Sequence, residues 1–141
     1  MMPDTRPTPA PIRRPRPPRI GGVAHLFAAL GYSCAGLRRL WQETAFRHEV
    51  AGTGIGVLLL ALSGAGAADH LLFAMLFCLL VAFEAMNTAV EEIVDHLSPD
   101  WALFARHAKD LGSLAVLCVL LAQGLFLVAA VWRNLAGISP F

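Results

Sequence analysis

The stretch LLFAMLFCLLVAFEAMNTAVEEIVD, Leu71 to Asp95, decides the fold of this chain. Its first half, Leu71 to Phe83, is an unbroken apolar run, and its second half continues a helical pattern while admitting carboxylates and an amide. At about 100° per residue, Glu84, Asn87, Glu91 and Asp95 project at about 0°, 300°, 340° and 20°, a polar stripe within an arc of about 80°. The stripe rises about 16 Å, which puts Glu84 about three turns inward from Asp95. An ionisable side chain that deep in an apolar segment is costly unless it meets a wet cavity or a partner, so the stripe reads as a functional site.

Working outward, two further apolar runs flank this one. Val50 to Ala68 holds no charged residue, and Leu111 to Trp132 is interrupted only by Gln123 and small residues. Each is long enough to cross a hydrocarbon core. The expected fold is an all-α membrane protein with spans at about 50–68, 71–95 and 108–132. The composition agrees: of 141 residues, 57% are hydrophobic and 15% charged, against about 45–50% apolar and 25% charged in soluble domains. The length leaves no room for a separate soluble catalytic domain. Between about 23 and 48, Val23, Leu26, Phe27, Leu30, Leu37, Leu40, Trp41 and Phe46 recur at helical spacing beside Arg38, Arg39 and Arg47, the pattern of an amphipathic surface helix, with breaks expected at Gly31 and Gly36. Gly52 and Gly56 form a G-x-x-x-G that predicts close helix packing.

Charge is unevenly placed. The net charge is +1, yet residues 1–22 hold five arginines against Asp4, along with seven of the nine prolines, and the remainder is acidic. Residues 1–22 are expected to be a disordered arm and 23–141 the membrane domain. Basic residues favour the cytoplasmic side, which places the arm and the Arg106 to Lys109 loop there and the Asp69-His70 turn outside. Arg133 is then an exception. Cys34, Cys78 and Cys118 show neither C-x-x-C nor disulfide spacing and are expected to be small core residues.

Hard oxygen donors at the density of the stripe suit Mg²⁺, which keeps waters and bridges substrate phosphates, so a nucleotide is the natural ligand. A di-iron site needs E-x-x-H pairs, and none occurs; no G-x-x-x-x-G-K-[ST] phosphate loop occurs either. Arg106, Lys109 and Asp110 at the start of the third run, and Glu43, Arg47 and Glu49 before the first, add acid and base to the stripe. For Lys109 and Asp110 a plain interfacial ion pair fits as well as ligand binding.

The E-x-x-N-T-A-V-E-x-x-V-D of Glu84 to Asp95, followed by A-K-D-x-G-S at Ala108 to Ser113, resembles the bacterial integral-membrane diacylglycerol kinase family. Two upstream motifs extend the resemblance over about Val23 to Trp132: G-Y-S-x-x-G-L-R-x-x-W, Gly31 to Trp41, and E-x-A-F-R-x-E, Glu43 to Glu49. It implies a homotrimer of three-span protomers with shared active sites, moving the γ-phosphate of MgATP to the hydroxyl of a membrane lipid in the bacterial inner membrane, with the N-terminus and site cytoplasmic. It implies Glu84 as general base, with Asn87 and Lys109 beside it in the catalytic centre, and Glu43 and Glu91 as metal ligands. Nucleotide contacts are implied for His25, Tyr32, Glu43, Glu91, Asp95, Asp100, Lys109 and Asp110. Lipid contacts are implied for Ala29, Ser33, Arg38, Trp41, Phe46, Glu49, Glu84, Ser113 and Trp132. The chain departs from the family pattern at His25, where arginine is common, at Ala102, where histidine is expected, and in a Trp41 to Phe46 segment one residue shorter. Diacylglycerol is the expected acceptor and undecaprenol the alternative within the family. A small channel or transporter subunit, its stripe conducting ions, is the alternative outside it. No nucleic-acid partner is expected.

Overall fold

A computed structural model describes residues 22–138, so the expected arm lies outside the described residues except for Gly22. Four helices follow one another: α1 (Val23–Leu40), α2 (Thr44–Leu62), α3 (Ala67–Leu97) and α4 (Leu103–Leu135). The last three are long and apolar enough to cross a membrane. At 1.5 Å per residue, α3 and α4, with 31 and 33 residues, are about 46 and 50 Å long, well beyond a hydrocarbon core of about 30 Å. Their excess length carries the charged ends into the interface.

α3 and α4 form an antiparallel hairpin that supplies most of the packing, and α2 leans on both. One cluster joins Leu60 of α2, Phe73 of α3 and Ala130 of α4; a second joins Leu80 with Val116 and Val119. Gly56 makes the first cluster possible, since a Cβ there would sit 2.5 Å from the Phe73 ring. Gly52, the other half of the G-x-x-x-G, meets nothing within 4 Å and lines a cavity. The packing motif is therefore half used within the chain.

The start of the first span differs from the sequence reading. Helix α1 runs through Gly31 and Gly36 without a break, because a glycine in a helix costs only about 1 kcal/mol and nothing there pushes the turn apart. The chain leaves the helix at Trp41 to Glu43, where Glu43 is extended, and α2 starts at once with Thr44 to Glu49, in which Thr44, Arg47, His48 and Glu49 are polar and Phe46 is buried. An absence of charge was thus a poor marker for the start of α2, whose first turns hold Arg47 and Glu49. The three cysteines are free and exposed rather than in the core; the interior between the helices is filled by Phe, Leu, Val and Ala instead.

Candidate functional site

Helix α3 carries its stripe into the groove between α2 and α4. Glu84, only 5% exposed, lines a cavity of about 330 Å³ with Glu43, Glu49, Asn87, Thr88, Glu91 and Ser113. Four carboxylates thus face one space, and no lysine or arginine lines it among the described residues. Glu84 is 17 residues beyond the start of α3, about 26 Å along the axis, and 13 residues, about 20 Å, short of its end at Leu97. Asn87 Nδ2 donates to Glu91 Oε1 at 3.1 Å and so fixes the amide orientation. That leaves Asn87 Oδ1 and Glu49 Oε2 buried with no hydrogen-bond partner among the described residues. Buried acceptors without donors are costly, and both belong to side chains at the cavity, although Asn87 Oδ1 itself packs towards Gly112 of α4.

The approach of α4 depends on Gly112, where a Cβ would collide with Asn87 Oδ1. Ser113 reaches the cavity because α4 comes that close.

A second cavity of about 310 Å³ lies at the α3–α4 connection and is lined by Asp95, Asp100, Arg106, Lys109 and Asp110 among others. Lys109 Nζ is 2.5 Å from Asp95 Oδ1, and Arg106 Nε is 3.6 Å from Asp110. The stripe read as one site is therefore divided. Glu84, Asn87 and Glu91 face the first cavity and Asp95 the second, where Lys109 joins it.

The remaining expected contacts are spread along the molecule. His25, Tyr32, Ser33 and Arg38 are exposed on α1, where Ala29 is half-buried, and Ser33 Oγ donates to the Ala29 carbonyl at 3.1 Å. Phe46 is buried, edge-on to the exposed ring of Trp41 with centroids 6.2 Å apart, so it pins the α1–α2 turn. Trp132 lies 19 residues along α4 from Ser113, about 29 Å away, beside Leu59 and Val128 in an apolar groove.

Two groups carry no mark in the sequence. Thr88 is one turn from Glu84 on the same stripe and buried, a spacing that identifies it in retrospect. Arg39 donates from its Nη1 to Glu43 Oε1 and from its Nε to Glu92 Oε1, both at 2.5 Å. These hydrogen bonds, that to Glu43 first, raise its pKa above the ordinary arginine value. Its i,i+4 relation to Glu43 was legible, but the contact with Glu92 across 53 residues was not.

This groove of carboxylates on an apolar hairpin coincides with the family match. A family model described as prokaryotic diacylglycerol kinase matches residues 31–131. A diacylglycerol kinase from Sinorhizobium sp is 46% identical over 105 residues, covering 74% of this chain and 77% of the relative. The chain belongs to the prokaryotic diacylglycerol kinase family. The family relation extends to a diacylglycerol kinase of Escherichia coli, 30% identical over 114 residues with 80% and 93% covered, and to one of Helicobacter pylori, 35% identical over 105 residues with 72% and 80% covered. Membership makes the chain an enzyme of the kinase class and a multi-pass membrane protein, and it overturns the alternative of a non-enzymatic channel subunit.

Proposed function

We propose that this kinase transfers the γ-phosphate of ATP, in a Mg²⁺-dependent reaction, to the free hydroxyl of diacylglycerol, giving phosphatidic acid at the cytoplasmic face of a bacterial inner membrane. The observation that carries the reading is the buried Glu84 facing a cavity with Glu43, Glu49, Asn87 and Glu91. The names of the relatives support the acceptor. A homotrimer with sites shared between protomers is part of the proposal, because three spans supply few walls for a nucleotide.

Among the described residues, no three histidine, cysteine or carboxylate groups cluster closely enough to enclose a metal ion. An open set of donors still fits Mg²⁺, which takes one or two carboxylates and leaves its other positions to water and phosphate oxygens. The carboxylates of Glu43, Glu49, Glu84 and Glu91 line one cavity with no lysine or arginine among its described residues, a set of hard oxygen donors that suits such an ion. Glu43 and Glu91 are assigned to hold the ion, which when bound offsets phosphate charge and orients the phosphates.

The chain's own residues do the rest. Glu84 accepts the proton of the lipid hydroxyl as its oxygen bonds to the γ-phosphorus, and the bond from that phosphorus to the β,γ-bridging oxygen breaks to release ADP. Glu49, at the mouth of α2, accepts a hydrogen bond from the headgroup and holds it in reach. Lys109 faces the nucleotide from the second cavity, with Asp95, Asp100 and Asp110 as polar neighbours; His25 and Tyr32 contact it from α1. Ala29, Ser33, Arg38, Trp41, Phe46, Ser113 and Trp132 are assigned to the lipid surface. The apolar groove walls exclude water, which limits loss of the phosphoryl group to hydrolysis.

The test is transfer of labelled γ-phosphate from MgATP in mixed micelles that offer short-chain diacylglycerol and undecaprenol in parallel. Preferential labelling of diacylglycerol supports the proposal. Preferential labelling of undecaprenol moves the chain to the polyprenol branch, and labelling of neither in folded protein overturns the acceptor assignment.

A further inference from the structure

Glu43 occupies an awkward position for a metal ligand. It stands in the three-residue turn between α1 and α2, at the N-cap of α2 with φ −74° and ψ 130°; its backbone is held by bonds to Leu40 and Arg47, but its side chain is 36% exposed and makes no capping bond to α2. A glutamate side chain left free there must lose its rotamer freedom whenever it binds an ion. It also faces a cavity with three other carboxylates and no lining cation among the described residues. Arg39 answers both problems. From the last turn of α1 its guanidinium grips Glu43 Oε1 with one nitrogen and Glu92 Oε1 of α3 with another, tying the turn to the rigid hairpin.

We propose that Arg39 is a positioning residue for Glu43 and that Glu92, which does not line the cavity, acts through Arg39 as the anchor. This inference rests on the reading of Glu43 as a metal ligand. The arginine engages only Oε1 of Glu43 among the described residues, and the planar fork of the guanidinium suits two carboxylates at once. The three side chains are 36% to 55% exposed, so the pairs contribute little to stability; their effect is geometric. Outer partners of metal ligands commonly change metal affinity by about 10–100-fold, and solvent screening here lowers the expectation to about 5–10-fold.

The experiment measures Mn²⁺ binding by loss of its free-ion spin resonance signal, in micelles with a non-hydrolysable ATP analogue, alongside the Mg²⁺ dependence of turnover. Arg39→Ala is expected to weaken Mn²⁺ binding about 5–10-fold and to raise the half-saturating Mg²⁺ similarly, with kcat within about twofold. Arg39→Lys recovers part of the loss, since an ammonium can hold Glu43 but lacks the fork. Glu92→Gln, a mild surface change, is expected to weaken binding about threefold, and adding it to Arg39→Ala changes nothing further because both act along one path. Additive losses from Arg39→Ala and Glu92→Gln overturn the coupling. Unchanged Mn²⁺ binding in Arg39→Ala, with binding weakened in Glu43→Gln, overturns the positioning role. Unchanged binding in Glu43→Gln overturns instead the underlying reading of Glu43.

Discussion

Arg133 Nη2 lies 2.5 Å from Asp69 Oδ1, closing the end of the α3–α4 hairpin opposite the carboxylate cavity. Asn134 Nδ2 adds a bond to Asp69 Oδ2 at 3.3 Å. Both partners of the ion pair are more than two-thirds buried, with side-chain exposures of 28% and 12%, so removing one strands the other away from water. Asp69→Ala and Arg133→Ala are each expected to lower stability by about 2 kcal/mol, less than the full cost of a completely buried pair. The double change to Asn and Gln should recover a good part of either loss. Thermal unfolding in detergent micelles checks both, and losses that simply add would show that the pair is not coupled.

Arg133, the expected exception to the side rule, is paired with Asp69 at the end of the hairpin that this rule would place outside.

Gly112 and Asn87 set how closely α4 approaches α3 at the site. Gly112→Ala forces a Cβ against Asn87 Oδ1, and overpacking of this kind costs about 1–3 kcal/mol. Turnover should fall with stability, because Ser113 and Asn87 line the cavity that the shift distorts. Pairing Gly112→Ala with Asn87→Ala relieves the collision and is expected to restore the melting temperature but not activity. A Gly112→Ala protein as stable and active as the parent would mean that α4 can move away freely.

Much of this arrangement was legible in sequence, and the unreadable part has a common cause. Periodicity placed Glu84, Asn87 and Glu91 on one face because 3.6 residues per turn is a local rule. Their division from Asp95 arises where Lys109, on another helix, draws that carboxylate into a second cavity. The start of α2 lies upstream of the charge-free run because the helix begins with Thr44 to Glu49, where Arg47, His48 and Glu49 beside Phe46 imitate the end of a surface helix. Helix type and stripe are properties of neighbours in sequence; Arg39 with Glu92 and Asp69 with Arg133 are not.

Gln123 is buried at 5% exposure and its Nε2 donates to Thr53 Oγ1 at 3.2 Å, linking α4 to α2 at membrane depth. Polar side chains in a membrane invite the assumption of strong glue. Measured intramembrane pairs average only about 0.6 kcal/mol, because the separated helices also find partners. Gln123→Leu is therefore expected to change stability by less than about 1 kcal/mol, measured by denaturation in mixed micelles. A loss several times larger would assign this bond a main part in holding α2.

Glu84→Gln separates chemistry from architecture. The amide keeps the shape of a side chain that is 5% exposed among Asn87, Thr88 and Val116, so packing is preserved. It cannot take a proton from a hydroxyl, and positioned bases contribute about 10²–10⁴-fold to rate. The expected outcome is a fall in kcat of that size with Mn²⁺ and nucleotide-analogue binding within about twofold and the melting temperature unchanged or raised, since one of four carboxylates facing a shared cavity has been neutralised. Single-turnover labelling of the lipid, set beside equilibrium binding, reads both quantities. Lost binding with the rate of bound enzyme intact would make Glu84 a ligand-holding group, and lost folding would make it a structural one; only a rate defect with intact binding supports proton transfer at this carboxylate.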